Sequence, residues 1–65
     1  MKILVNGVWR NTGAADLAGA LRELGYADAV VATALNGEFV PAGARPGAHL
    51  SDGDRLEILA PMQGG

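Results

Sequence analysis

Cysteine is absent from this chain, and lysine, histidine, tryptophan, tyrosine and phenylalanine occur once each. Without cysteine there is no disulfide framework, thiolate nucleophile, persulfide or cysteine-ligated metal, so any covalent chemistry must use other atoms. Trp9, Tyr26 and Phe39 are too dispersed to form a base-stacking platform, which leaves core or edge packing as their expected use. Five scattered cations, Lys2, Arg10, Arg22, Arg45 and Arg55, face seven acids for a formal net charge of -2. Such a distribution makes no basic stripe for a nucleic-acid backbone. Apolar runs are short as well: the longest nearly unbroken one, residues 29–35, falls far below the roughly 18 needed to cross a bilayer, and no signal-peptide pattern opens the sequence. A soluble, cytoplasmic protein with no nucleic-acid or membrane partner is expected.

What is present fits one small domain. At 65 residues and 6.6 kDa, folding hides only about 60% of the extended chain's surface, which leaves little scope for a deep cleft with several positioned catalytic groups. A self-sufficient enzyme is therefore disfavoured. The 49% hydrophobic content and modest charge are those of a globular chain, because disordered segments are poorer in apolar residues and carry more net charge.

Met1, Ile3 and Val5 alternate with Lys2, Leu4 and Asn6, the period of a half-buried strand, and Asn6-Gly7 supplies residues that tolerate positive φ, so a hairpin starts here. The return strand, Val8 to Thr12, has two possible registers. A two-residue turn places Val8 and Arg10 beside Val5 and Ile3, whereas a bulged turn brings Trp9 inward. Asp16 is positioned to N-cap a helix in which Leu17, Ala20, Leu21 and Leu24 form one apolar stripe, with Gly25 as its C-terminal stop. Gly19 within that span weakens the helix by about 1 kcal/mol relative to alanine, so the helix depends on docking against a sheet.

The run Ala29 to Leu35 is β-branched enough for a strand, and a second Asn-Gly pair, Asn36-Gly37, leads into a short strand from Glu38 to Val40. Pro41 to Leu50, with two prolines and two glycines, reads as an irregular surface loop. Asp52-Gly53-Asp54 marks a tight turn. A last strand follows in which Leu56, Ile58 and Ala60 alternate with Arg55, Glu57 and Leu59 until Pro61 ends it. The order β-β-α-β-β-β predicts an α+β fold, a mixed sheet with one main helix packed on one face against Ile3, Val5, Leu56 and Ile58. If the first and last strands pair in parallel at the centre, Leu4 and Leu59 share the opposite face and become a candidate docking patch.

Side-chain chemistry is thin. His49 has no second histidine or cysteine to complete a metal site, and Asp52 and Asp54 straddling Gly53 lack the longer calcium-loop pattern, so a solvated loop residue and a turn are the expected roles. Ser51, His49 and Asp52 contain the residue types of a hydrolase triad, but neighbours in sequence rarely converge in the nucleophile, base and orienter geometry. The distinctive feature is the ending Met62-Gln63-Gly64-Gly65. Two residues without Cβ let a backbone thread a narrow tunnel in a partner enzyme and present the carboxylate of Gly65 there. Residues 1–60 are thus expected to form one domain, and 61–65 a flexible tail.

The opening Met-Lys-Ile-Leu-Val-Asn-Gly, the segment Ala34 to Glu38, the Asp52-Gly53-Asp54 turn and the ending Pro61-Met62-Gln63-Gly64-Gly65 together resemble the ThiS family, sulfur carriers of thiamine biosynthesis, over essentially the whole chain. The resemblance implies a ubiquitin-like β-grasp fold. It further implies that Gly65 is the point of covalent sulfur attachment, adenylated at the expense of ATP by a ThiF-like adenylating enzyme. Sulfur from a cysteine-derived persulfide would then convert it to a thiocarboxylate that serves thiazole synthase. Gly64, Gln63 and Met62 would enter the partners' active sites; no cofactor is bound permanently, since ATP belongs to the partner's step. The chain departs from the family in the Pro41 to Leu50 loop, at Trp9 and at Gly19.

Two other readings are compatible with a diglycine end. The small subunit of molybdopterin synthase shares the fold and the tail chemistry but tends to be longer and to approach its diglycine through a Pro-Pro-Val-like sequence, so Met62-Gln63 favours the thiamine carrier. A ubiquitin-like protein modifier would form isopeptide bonds through Gly65. With Lys2 as the only lysine, self-linked chains of varied topology are disfavoured.

Overall fold

The computed structural model describes residues 1–60; Pro61 and the sequence's candidate tail residues Met62, Gln63, Gly64 and Gly65 lie outside them. Five strands and one α-helix follow in the predicted order: β1 Lys2–Val5, β2 Val8–Asn11, α1 Leu17–Glu23, β3 Ala32–Leu35, β4 Glu38–Val40 and β5 Arg55–Leu59. The sheet runs β2-β1-β5-β3-β4. Its two central strands, β1 and β5, are parallel, and each outer strand joins by an antiparallel hairpin. With the helix on one face, this is the ubiquitin-like β-grasp arrangement.

Both hairpins turn at their Asn-Gly pairs. Asn6 and Gly7 have φ of 48° and 83°, and Asn36 and Gly37 have φ of 51° and 85°, the two successive positive values that a two-residue turn requires to match strand twist. The register question at β2 is thereby answered. Val5 pairs with Val8 and Leu4 with Trp9, so Trp9 stands on the sheet face away from the helix, 55% exposed.

The helix begins and ends on local chemistry. Asp16 accepts a hydrogen bond from the Gly19 N–H at 2.8 Å. At the other end the Gly25 N–H donates to the Arg22 carbonyl (3.2 Å) and the Tyr26 N–H to the Leu21 carbonyl (2.8 Å), the paired closure that a left-handed residue makes possible. Gly25, at φ 92°, is that residue. Leu17 and Leu21 then bury with Ile3, Val5, Leu56 and Ile58 in one core, with Leu24, Tyr26, Val31, Val40 and Ala48 packed around it.

Three expectations need correction. Pro41 to Leu50 is not irregular throughout: Ala42–Gly47 forms a 3-10 helix, whose i to i+3 bonds (Ala44 N–H to Pro41 carbonyl, 2.9 Å) suit short segments that an α-helix would not tolerate with an internal proline. The strand expected over 29–35 is shorter at its start, because Val30 is 81% exposed and the Ala29 N–H closes a turn onto Tyr26; β-branched composition favours a packed strand only where a surface exists to pack on. The last strand stops at Leu59, and Ala60 is exposed rather than inward. Among the described residues no helix is long and apolar enough to cross a membrane.

Candidate functional site

Strand alternation divides the sheet cleanly. Ile3, Val5, Leu56 and Ile58 point at the helix, so Leu4 on β1 and Arg55, Glu57 and Leu59 on β5 point away from it. Register adds the neighbours: Trp9 opposite Leu4, Ala34 opposite both Glu57 and Phe39, and Ala32 opposite Leu59. Two apolar groups result on this outer face. Trp9 with half-buried Leu4 forms one; Leu59 and Phe39, 73% and 69% exposed, form the other, with the charged side chains of Arg55 and Glu57 on the strand between them.

Leu4 and Leu59 therefore share a face without touching. Leu4 pairs with Arg55, and Leu59 lies four residues further along β5, about 13 Å at the ordinary rise of a strand. Around Leu59 the small side chains of Ala32 and Ala34 floor a shallow depression of ≈ 400 Å³, walled by Phe39, Glu57 and Leu59 and reached by Asn6. Leu59 is also the residue from which the chain leaves the sheet toward the Gly-Gly end.

Sequence reasoning missed Phe39, Ala32 and Ala34 as members of this face. The signal was available in the alternation of β3 and β4, but it needs the register between the two strands before a face can be assigned. It also read Asn6 and Asn36 only as turn residues. In the fold their side chains grip β5 as well: Asn6 Oδ1 accepts from the Ile58 N–H at 2.8 Å while Nδ2 donates to the Ile58 carbonyl at 3.1 Å, and Asn36 Oδ1 accepts from the Arg55 N–H at 2.9 Å.

The Asp52 and Asp54 carboxylates are engaged in structure. Asp52 accepts from the Lys2 backbone N–H at 2.7 Å, and Asp54 accepts from the Ser51 N–H at 2.8 Å and from Asn36 Nδ2 at 3.0 Å. These contacts close the turn into β5 and tie it to β1. His49 is exposed in a single bridge to Asp16, beside the backbone bonds that dock the connection after the 3-10 helix onto the start of α1.

The ThiS family model matches residues 3–65, a span that runs through both glycines of the ending. A crystal structure of the thiamine biosynthesis protein ThiS from Geobacter metallireducens superimposes with a TM-score of 0.82 at 35% identity, each chain covered completely. A solution structure of a thiamine biosynthesis protein from the same organism gives 0.80 at 32% identity over all of this chain and 88% of the other. A thiazole synthase of Paramagnetospirillum magneticum is 41% identical across the whole of this chain, which spans only 20% of that protein's length.

Proposed function

The chain belongs to the ThiS family, and on that footing we propose that it is a sulfur carrier for thiazole formation, with the carboxylate of Gly65 as its working group. The observation that carries this reading is the extent of the family match, which includes the Gly64-Gly65 ending as well as the folded body. The relatives named above have thiamine or thiazole names, which supports this branch over the molybdopterin synthase small subunit.

A carboxylate resists nucleophiles because its charge is delocalised and its leaving group would be oxide. In the proposed sequence a Gly65 oxygen attacks the α-phosphorus of ATP on a ThiF-like adenylating enzyme, expelling pyrophosphate and leaving an acyl adenylate. The terminal sulfur of a cysteine-derived persulfide attacks the acyl carbon and AMP departs. A thiol then cleaves the resulting acyl disulfide, taking the donor's sulfur into a new disulfide and freeing the Gly65 thiocarboxylate. Thiazole synthase consumes that sulfur, and the carboxylate returns. The chain's own contribution is to carry and present the group; it contains no thiol to intercept the activated acyl carbon.

The residues of the body fit presentation rather than catalysis. Leu4 and Leu59, with Trp9 and Phe39 beside them, offer apolar surface to an enzyme that must hold the body while it works on the tail, and Met62, Gln63 and Gly64 follow Leu59 closely enough in sequence to enter that enzyme's site. The relation to thiazole synthase is supported by the Paramagnetospirillum protein, in which a similar sequence occurs within a thiazole synthase chain.

Intact-mass spectrometry tests the function. Incubation with ATP, a ThiF-like adenylating enzyme and a persulfide source, followed by a thiol, is expected to add the mass of one oxygen replaced by sulfur, localised to Gly65 by fragmentation. Addition of thiazole synthase with its other substrates should reverse it. An unchanged mass with an adenylating enzyme active on its own carrier would refute the proposal.

A further inference from the structure

We propose that Asn6 is a positioning residue for the carrier tail: its side-chain amide fixes the course of β5 at the point where the strand runs out toward Gly65. The inference rests on the sulfur-carrier reading above and deepens it. Alternate residues of β5 turn their backbone groups toward β1. The Asp54 carbonyl accepts from the Leu4 N–H at 2.9 Å and the Leu56 carbonyl from the Asn6 N–H at 3.0 Å. Ile58 is the next in that series, but β1 has already turned away at Asn6-Gly7, and no backbone remains to pair with it. The Asn6 amide takes that place, accepting from the Ile58 N–H and donating to its carbonyl at 2.8 and 3.1 Å. One side chain thereby adds a further rung to the parallel ladder.

The turn alone does not demand this residue. Positive φ at Asn6 is equally open to glycine, and aspartate tolerates it too, whereas a two-way exchange with a single peptide unit needs a donor and an acceptor side by side, as in a carboxamide. Asn36 provides an internal control. It occupies the same place in the second hairpin and binds the Arg55 N–H and the Asp54 carboxylate, which lie at the entry to β5, not at its exit.

Position at the exit matters because of leverage. Gly65 lies seven positions beyond Ile58 in sequence, a reach of up to about 25 Å, so a change in the direction of β5 at Ile58 is magnified over that length. A partner that must hold the body and the terminal carboxylate together gains from a fixed direction at Ile58, the benefit of preorganisation. Loss of the amide should accordingly raise the KM of the carrier for its adenylating enzyme and leave kcat, set after the tail is seated, unchanged.

The test is ATP–pyrophosphate exchange by a ThiF-like adenylating enzyme at varied concentrations of wild-type, Asn6→Gly and Asn36→Gly chains, with native-state amide exchange on each. For Asn6→Gly, KM is expected to rise about fivefold, the scale of an ordinary side-chain hydrogen bond, with kcat constant. Protection should fall at the Ile58 N–H and persist at the Leu4 N–H. Asn36→Gly should leave KM at the wild-type value. Asn6→Asp, which tolerates the same φ, keeps the acceptor and puts a charged oxygen in place of the Nδ2 donor, should move KM in the same direction and supplies the comparison if the glycine variant does not fold. Equal KM values for wild-type and Asn6 variants, or equal rises for the Asn6 and Asn36 variants, would overturn the inference alone. Failure of the wild-type chain to be adenylated would overturn the carrier reading and this inference with it.

Discussion

Arg45 donates from Nε to the Thr33 hydroxyl at 3.0 Å and from Nη2 to the Val31 carbonyl at 2.6 Å. The 3-10 helix is thereby fastened to the start of β3. Thr33 is 2% exposed and its hydroxyl donates a hydrogen bond to the Val40 carbonyl at 2.8 Å, so one guanidinium organises two neighbouring strands. Arg45→Ala should lower stability by about 1.5–3 kcal/mol, the range for hydrogen bonds to a charged donor. Arg45→Lys should recover less than half of that, because an ammonium lacks the fork needed to reach both acceptors. Urea unfolding with an unchanged slope is the measurement; wild-type stability in Arg45→Ala would show that the anchor contributes nothing.

Gly25 gives a cleaner backbone test. It has φ 92°, and a Cβ built there meets nothing within 4 Å, so steric conflict with neighbours does not enter. Gly25→Ala should cost about 1–2 kcal/mol from the left-handed conformation alone. Gly43 is the matched control, since it too has open space around a built Cβ but no positive φ. Gly43→Ala should be neutral, or stabilising by up to about 1 kcal/mol through the unfolded state. Thermal melts of the two variants should therefore shift in opposite directions or by clearly unequal amounts.

The elements whose causes are local were legible in the sequence. Asp16, the Leu17-Ala20-Leu21-Leu24 stripe and Gly25 define the helix within ten residues, and the Asn-Gly pairs define both hairpins. The features that went unread depend on contacts distant in the chain. Whether Trp9 faced inward hung on register, and the 3-10 helix is held to β3 by Arg45, which composition alone does not reveal. Gly19 shows the same limit from another side. It reads as a weak point in a helix, yet a Cβ there would stand 3.1 Å from that of Ala14, closer than side chains ordinarily pack, so the residue also lets the connection from β2 run close against α1. Of the candidate site, the Gly-Gly ending was readable as a motif. The face beside it was half visible through Leu4 and Leu59, and Phe39 and the Asn6 grip on Ile58, 52 residues apart, required the fold.

Exposure lets docking be separated from folding at Leu59. With 73% of its surface open, Leu59→Ser should change stability by no more than about 0.5 kcal/mol, as surface substitutions generally do. If this face receives the adenylating enzyme, the same variant should raise KM about tenfold, the effect of losing a contact in the centre of an interface. Val30→Ser, at 81% exposure and outside the strands, is the comparison and should leave KM alone. Wild-type kinetics in Leu59→Ser would move the docking surface elsewhere.

The tail separates most sharply from the body in Gly64→Val. Residue 64 lies beyond every described element, so the substitution should leave the melting temperature and the amide exchange of the core at wild-type values. At the partner enzyme the outcome should differ, because a β-branched side chain both widens the chain that must thread the site and excludes the φ values that glycine alone can take. Adenylation should fall by at least about a hundredfold, the scale of a misplaced reacting group. Deleting Gly65 tests the other half of the argument. It leaves a carboxylate of the same chemical kind on Gly64, so loss of thiocarboxylate formation would show that reach determines reactivity, while retention of it, together with a normal Gly64→Val, would mean that the partner does not enclose the end of the chain.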